Sequence, residues 1–137
     1  MIKRRANWYG LDMLQLYLQM SREQLSQALE QLQSLEGCQD KPYLLDNEII
    51  TRIIAAHSEQ NENAWVFVEQ CSKWRKQVVS RRQLEDLAEI ENNVLQMKKC
   101  NNQILALAKQ FKGQTIEELM AKDDVELAVD FLDKLFK

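Results

Sequence analysis

Glycine, proline and histidine are scarce in this 137-residue chain, which holds three, one and one of them. An all-β domain needs turn residues about every 8–12 positions, and Rossmann or P-loop phosphate cradles need clustered glycines. The sequence supplies neither. A structural zinc site needs about four closely spaced Cys and His ligands. Cys38, His57, Cys71 and Cys100 are the whole stock and they are scattered, so no metal and no cofactor is expected. An odd number of widely spaced cysteines fits reduced thiols in a cytosolic protein better than a secreted disulfide framework. No stretch approaches the roughly 18 apolar residues of a transmembrane helix. The basic N-terminus is interrupted at Asp12, Gln15 and Gln19, so no signal peptide is expected either.

What is abundant is helix-forming. Leu, Gln, Glu, Lys and Ala dominate, with 45% apolar and 28% charged residues. The expectation is an all-α protein: one domain over residues 1–137, built as an antiparallel up-down-up bundle of three long helices with one or two short C-terminal helices. The first long helix is placed at about 8–36. Leu11, Leu18, Leu25 and Leu32 recur every seven residues, Leu14, Ser21, Ala28 and Leu35 fill the companion positions, and Leu29 widens the seam. Gly37 marks the end of that helix. The second is placed at about 46–79 with Asp46 as N-cap. Its stripe reads Ile50, Ile54, His57, Asn61, Ala64, Val68, Cys71, Arg75 and Val78, beside a face of Ile49, Ile53, Phe67 and Trp74. The third, at about 81–112, follows a Ser80 cap, and its stripe runs Leu84, Leu87, Ile90, Val94, Met97, Asn101, Ile104, Ala108 and Phe111. A Thr115-x-x-Glu118 capping box opens a short helix at about 116–121. Asp123 opens another at about 124–136, amphipathic through Val125, Ala128, Val129, Leu132, Leu135 and Phe136.

Each long stripe is broken by a polar residue. Facing residues of an antiparallel helix pair have a constant number sum, about 82 and about 161 for connections centred near residues 41 and 80. On that arithmetic Ser21, Asn61 and Asn101 share one level, with His57 a turn away. Such a layer reads as a hydrogen-bonded core that fixes register, as a buried Asn does in coiled coils. The other readings are a mid-bundle pocket for a small ligand or a partner side chain, and a layer partly solvated because the second helix bows or breaks there.

Net charge is −3, which argues mildly against a dedicated nucleic-acid binder. Locally, residues 73–82 carry Lys73, Arg75, Lys76, Arg81 and Arg82 with Trp74 and no acid, and the up-down-up model brings Lys3, Arg4 and Arg5 to the same pole. Basic residues interleaved with aromatics suit phosphate backbones or anionic lipid. The opposite pole ends in an acidic tail. Catalysis is the weakest reading: the single histidine sits on an apolar stripe, a di-iron bundle needs Glu-x-x-His pairs, and Ile54 occupies the position such a glutamate would need. The outer positions of the first helix are rich in glutamine (Gln15, Gln19, Gln27, Gln31, Gln33). In organisation, though in no motif, the chain resembles bacterial export chaperones and small adaptors.

The expected function is therefore a non-enzymatic, cytosolic protein–protein interaction module: an adaptor, chaperone or regulatory subunit, with a protein partner and a homodimer both open. Its contact surfaces would be the basic pole and the C-terminal helix through Val125, Val129, Leu132 and Phe136. The alternative is a nucleic-acid or anionic-surface binder acting through the 73–82 cluster. The apolar face of the C-terminal helix either covers the end of the bundle or docks on another chain.

Overall fold

The computed structural model of the chain describes the backbone of residues 6–77, 79–121 and 124–136, and the side chains of these except 124–128 and 136. Helices α1 (Leu14–Glu36), α2 (Asn47–Arg75) and α3 (Arg81–Phe111) are long; α4 (Ile116–Met120) and α5 (Asp124–Phe136) are short. Single 3-10 turns at Leu11–Met13 and Pro42–Leu44 precede α1 and α2. The described residues contain no strand. The chain is all-α and its long helices pack together.

Local chemistry sets several of the boundaries. Asp46 caps α2, its carboxylate accepting from the Ile49 amide at 2.7 Å. Ser80 and Gln83 form a reciprocal capping box at the start of α3, each side chain accepting from the other's backbone N–H at 3.1 and 2.8 Å. The Thr115 box expected for α4 is not made. That hydroxyl instead donates to Asn47 Oδ1 at 2.5 Å, and Thr115 is fully buried. Tertiary contact with the start of α2 takes precedence over a local cap. Two other boundaries move inward. Helix α1 begins at Leu14 rather than near Trp8, and α2 ends at Arg75 rather than near Val79. Gly37 does follow α1, but at φ −64, so no left-handed turn is needed there.

Helix α3 is the middle of the molecule. It runs close alongside both α1 and α2, which approach each other much less. Its predicted stripe is buried from Leu87 to Phe111, with Leu87, Ile90, Ile104 and Ala108 at zero exposure. Burying each such Leu or Ile side chain stabilises the fold by about 1.5–3 kcal/mol. Leu84 alone leaves the stripe and is exposed.

Helix α2 is rotated partway from the expected phase, while α1 keeps its predicted seam with one exchange at the edge. On α2 the core takes Ile50, Ile53, Ala64, Phe67, Cys71 and Trp74, while Val68 and Arg75 face outward. The bulky residues first assigned to the adjacent face win the interior because Phe and Trp bury more apolar area than Val. On α1 Leu14, Tyr17, Leu18, Ala28 and Leu35 are buried, and Leu29 is half exposed rather than part of the seam. Tyr17 takes the place because its ring meets Phe67 at 5.4 Å and Trp74 at 5.2 Å, both edge-on.

Candidate functional site

The polar residues expected to form one layer form two. Asn101, with no exposure, is the hub of the first. Its Nδ2 donates to Gln60 Oε1 at 3.1 Å and to Asn61 Oδ1 at 3.2 Å. Its Oδ1 can then only accept, so the His57 Nδ1 at 2.8 Å carries the proton. Asn61 also donates to Asn102 at 3.0 Å. The sum rule for the second and third helices thus places His57, Asn61 and Asn101 together as expected. His57 is bonded to an amide, not to a carboxylate that could tune it as a base.

Ser21 lies elsewhere. It accepts from Asn93 Nδ2 at 3.2 Å and donates to the Leu18 carbonyl at 2.8 Å. Asn93 also donates to Glu89, which Arg22 grips from Nε at 2.5 Å and Nη2 at 2.8 Å. That grip holds the Glu89 carboxyl below its ordinary value. A common layer needs α1 and α3 offset by about 80 residues, whereas the bonded pairs 15–86, 22–89 and 21–93 are 71, 67 and 72 apart. Ser21 therefore sits roughly ten residues, or about 15 Å, from the Asn101 level. The expected level rests on close α1–α2 packing, whereas these helices meet chiefly through Tyr17 against Phe67 and Trp74; α1 is registered by α3.

The basic pole is closed by its own aromatics. Trp74, expected as a contact residue, has no exposure. Its Nε1 donates to the Tyr9 carbonyl at 3.0 Å. Gln70, 1% exposed, accepts from the Tyr9 amide at 2.8 Å and donates to the Tyr9 carbonyl at 3.2 Å. The segment before α1 is thereby strapped across the end of α2. Trp8 stacks edge-on against Trp65 at 6.0 Å, with the Lys73 ammonium 5.0 Å above the Trp8 ring. Gln70 and Tyr9 escaped the sequence reading because the glutamine's partner is a backbone, which leaves no pattern.

Two of the cluster's arginines are also engaged. Arg75 pairs with Glu91, and Arg81 with Glu85 at 3.7 Å. Exposed pairs of this kind stabilise by about 0.2–1 kcal/mol, and they offset two of the cluster's five charges. Lys76 and Arg82 are exposed. Lys3, Arg4, Arg5 and Val78 lie outside the described residues.

Cys71 lies beneath this pole with no exposure. Burial pushes its thiol from an ordinary 9.0 up to about 12, helped by Glu91 and opposed by Arg75. Burial likewise raises Cys100 and Tyr17. These groups stay protonated in the fold while the unfolded chain ionises. The Cys71 contribution is complete below about pH 9 and is lost as pH climbs toward 12. The urea midpoint should fall between about pH 8 and pH 10.5, and the fall should be shallower in Cys71→Ala. An equal slope in the variant would show that other groups drive the alkaline loss. Among the described residues no cluster of His, Cys, Asp and Glu is placed to hold a metal ion. No helix searched there is long and apolar enough to cross a membrane.

Two clefts flank the middle of α1. One, of about 280 Å³, opens between Gln24 and the α2 residues Ala56, Glu59, Gln60, Asn63 and Phe67. The other, of about 320 Å³, has an apolar wall of Leu25, Leu29 and Leu32 on α1 and a polar wall of Gln96, Lys99 and Gln103 on α3.

The far pole is built on the 42–47 segment. The Ile116 amide donates to the Leu45 carbonyl at 3.0 Å, the Asn47 amide to Glu117 at 2.9 Å, and Leu119 is buried. Helix α5 leaves from here, with the Lys134 ammonium 5.2 Å from the centre of the Tyr43 ring. Val129, Phe131, Leu132 and Leu135 are 54%, 48%, 54% and 64% exposed. Leu44, Ile116 and Met120 at the same pole are exposed as well. So α5 does not bury this part of its apolar face on the bundle; the expected contact residues Val125 and Phe136 have side chains outside those described. No family model, no curated protein and no solved structure matches the chain.

Proposed function

We propose that the chain is a single-domain, non-enzymatic interaction module, an adaptor or regulatory subunit working in the cytosol, whose contact surface is the apolar face of α5. The three long helices are taken as an up-down-up bundle. Support for that order comes from the crossing pairs. Facing α2 and α3 residues keep a nearly constant sum, as 57 with 101 and 75 with 91, while α1 and α3 residues keep a nearly constant difference.

The observation that carries the reading is the exposure of Val129, Phe131, Leu132 and Leu135 on one short helix. A helix of 13 residues is marginal alone in water and gains most of its stability from packing. Apolar residues grouped this way mark a contact site more often than chance exposure does. The competing reading, phosphate or anionic-surface binding at 73–82, is weakened by the buried Trp74 and the engaged Arg75 and Arg81.

Affinity capture from native lysate tests the two readings with the full chain. Val129→Asp with Leu132→Asp should abolish capture, because carboxylates in a buried apolar contact stay unpaired. Lys73→Gln, Lys76→Gln and Arg82→Gln together should leave it intact, and raised salt should not release the partner. Loss of capture in the second variant alone, with release by salt, overturns the proposal, since phosphate contacts are steeply salt-dependent.

A further inference from the structure

Two surfaces on this chain expose apolar side chains and complement each other. The cleft between α1 and α3 presents Leu25, Leu29 and Leu32, opposite Lys99 flanked by Gln96 and Gln103; no carboxylate lines it. Helix α5 presents Val129, Phe131, Leu132 and Leu135. Its sequence carries Asp124, Glu126, Asp130 and Asp133 against Lys134. We infer that α5 of one copy docks into the Leu25–Leu29–Leu32 cleft of a second copy, and that the exchange is reciprocal. This rests on the reading of α5 as a contact surface and names its occupant.

Size and charge both fit. The cleft spans residues 25–32 and 96–103, about 10 Å of helix at 1.5 Å per residue. The exposed apolar residues of α5 run from 129 to 135, about 9 Å on the same rise. The cleft supplies one cation and amide donors; on α5 the exposed Asp133 follows Leu132 directly in sequence. Pairing α5 with another α5 would set like charges together, which costs affinity. A one-way contact between copies would propagate into open chains, whereas reciprocal exchange closes after two copies.

The test is mass in solution, by sedimentation or light scattering across a concentration series. Wild type should weigh twice 16.1 kDa. Leu29→Asp, in the cleft, and Leu132→Asp, on α5, should each weaken dimerisation by more than about tenfold. Both positions are about half exposed within one chain, at 50% and 54%, so helicity and melting temperature of the dilute monomer should hold. Mixing the two variants should pair them one to one more tightly than either pairs with itself, because one of the two contacts, an intact α5 in an intact cleft, is then restored while the other carries both substitutions. A wild type that stays monomeric overturns the inference, and so does a mixture that pairs no better than either variant alone. If Leu132→Asp still loses its captured partner while wild type is monomeric, the exchange falls and the contact role of α5 stands. If the dimer forms and capture is indifferent to α5, the contact role toward a foreign partner falls instead.

Discussion

Replacing Trp74 by alanine should cost about 3–5 kcal/mol of folding stability, the range for deleting a fully buried large aromatic side chain. The loss has three parts. The ring leaves a void beside Tyr17, whose edge-on contact at 5.2 Å disappears. Cavity formation adds to the lost transfer energy because the surroundings relax only partly. The Tyr9 carbonyl also loses the indole N–H at 3.0 Å and keeps only the Gln70 amide. Trp74→Phe keeps most of the volume and should cost less, about 1–2 kcal/mol. Urea unfolding followed by far-UV circular dichroism measures both. If Trp74→Ala unfolds at the wild-type midpoint, the residue is not in the core. Its place in a basic stretch of sequence suggested a surface anchor; the expected phenotype is instead that of a core cavity.

The second large effect belongs to Asn101. Asn101→Ala orphans the His57 Nδ1–H and removes a donor from both Gln60 and Asn61. A buried group left without its partner costs about 1–3 kcal/mol. Asn101 has no exposure and His57 is 6% exposed, so the expected loss is near the top of that range, about 3 kcal/mol. His57→Leu should cost less, because Asn101 then lacks one acceptance only. The double variant His57→Leu with Asn101→Leu should recover much of the loss, since an apolar pair needs no partner. A double-mutant cycle on urea midpoints gives the coupling directly. A coupling near zero would mean that the His57–Asn101 bond at 2.8 Å contributes nothing net.

These two residues mark how far sequence reasoning reached. Helix identity was legible because scarce Gly and Pro leave few places to break. Ser80 and Asp46 were readable as caps because their partners lie three residues away. The α3 stripe was legible because a helix bordered on both sides shows its apolar phase over its full length. The phase of α2 was not, since Val68 and Phe67 offer rival stripes and only packing against Tyr17 decides between them. The grouping of His57, Asn61 and Asn101 followed from one short connection, whose centre fixes which residues face each other. Ser21 did not follow, because its position depends on how α1 slides along α3. The exposed face of α5 was visible as amphipathicity, but a pattern of apolar residues does not say whether a neighbour covers them.

The central position of α3 bears on how the molecule comes to be assembled. Helix α1 finds its polar partners 67–72 positions further along the chain. During synthesis from the N-terminus, α1 and α2 emerge first, with little beyond Tyr17 against Phe67 and Trp74 to hold them together. Their apolar stripes stay wet until α3 has left the ribosome, so the core closes late and over a long loop. The nascent chain is most vulnerable to aggregation in that interval, when Phe67, Trp74 and the leucines of α1 are made but not yet covered.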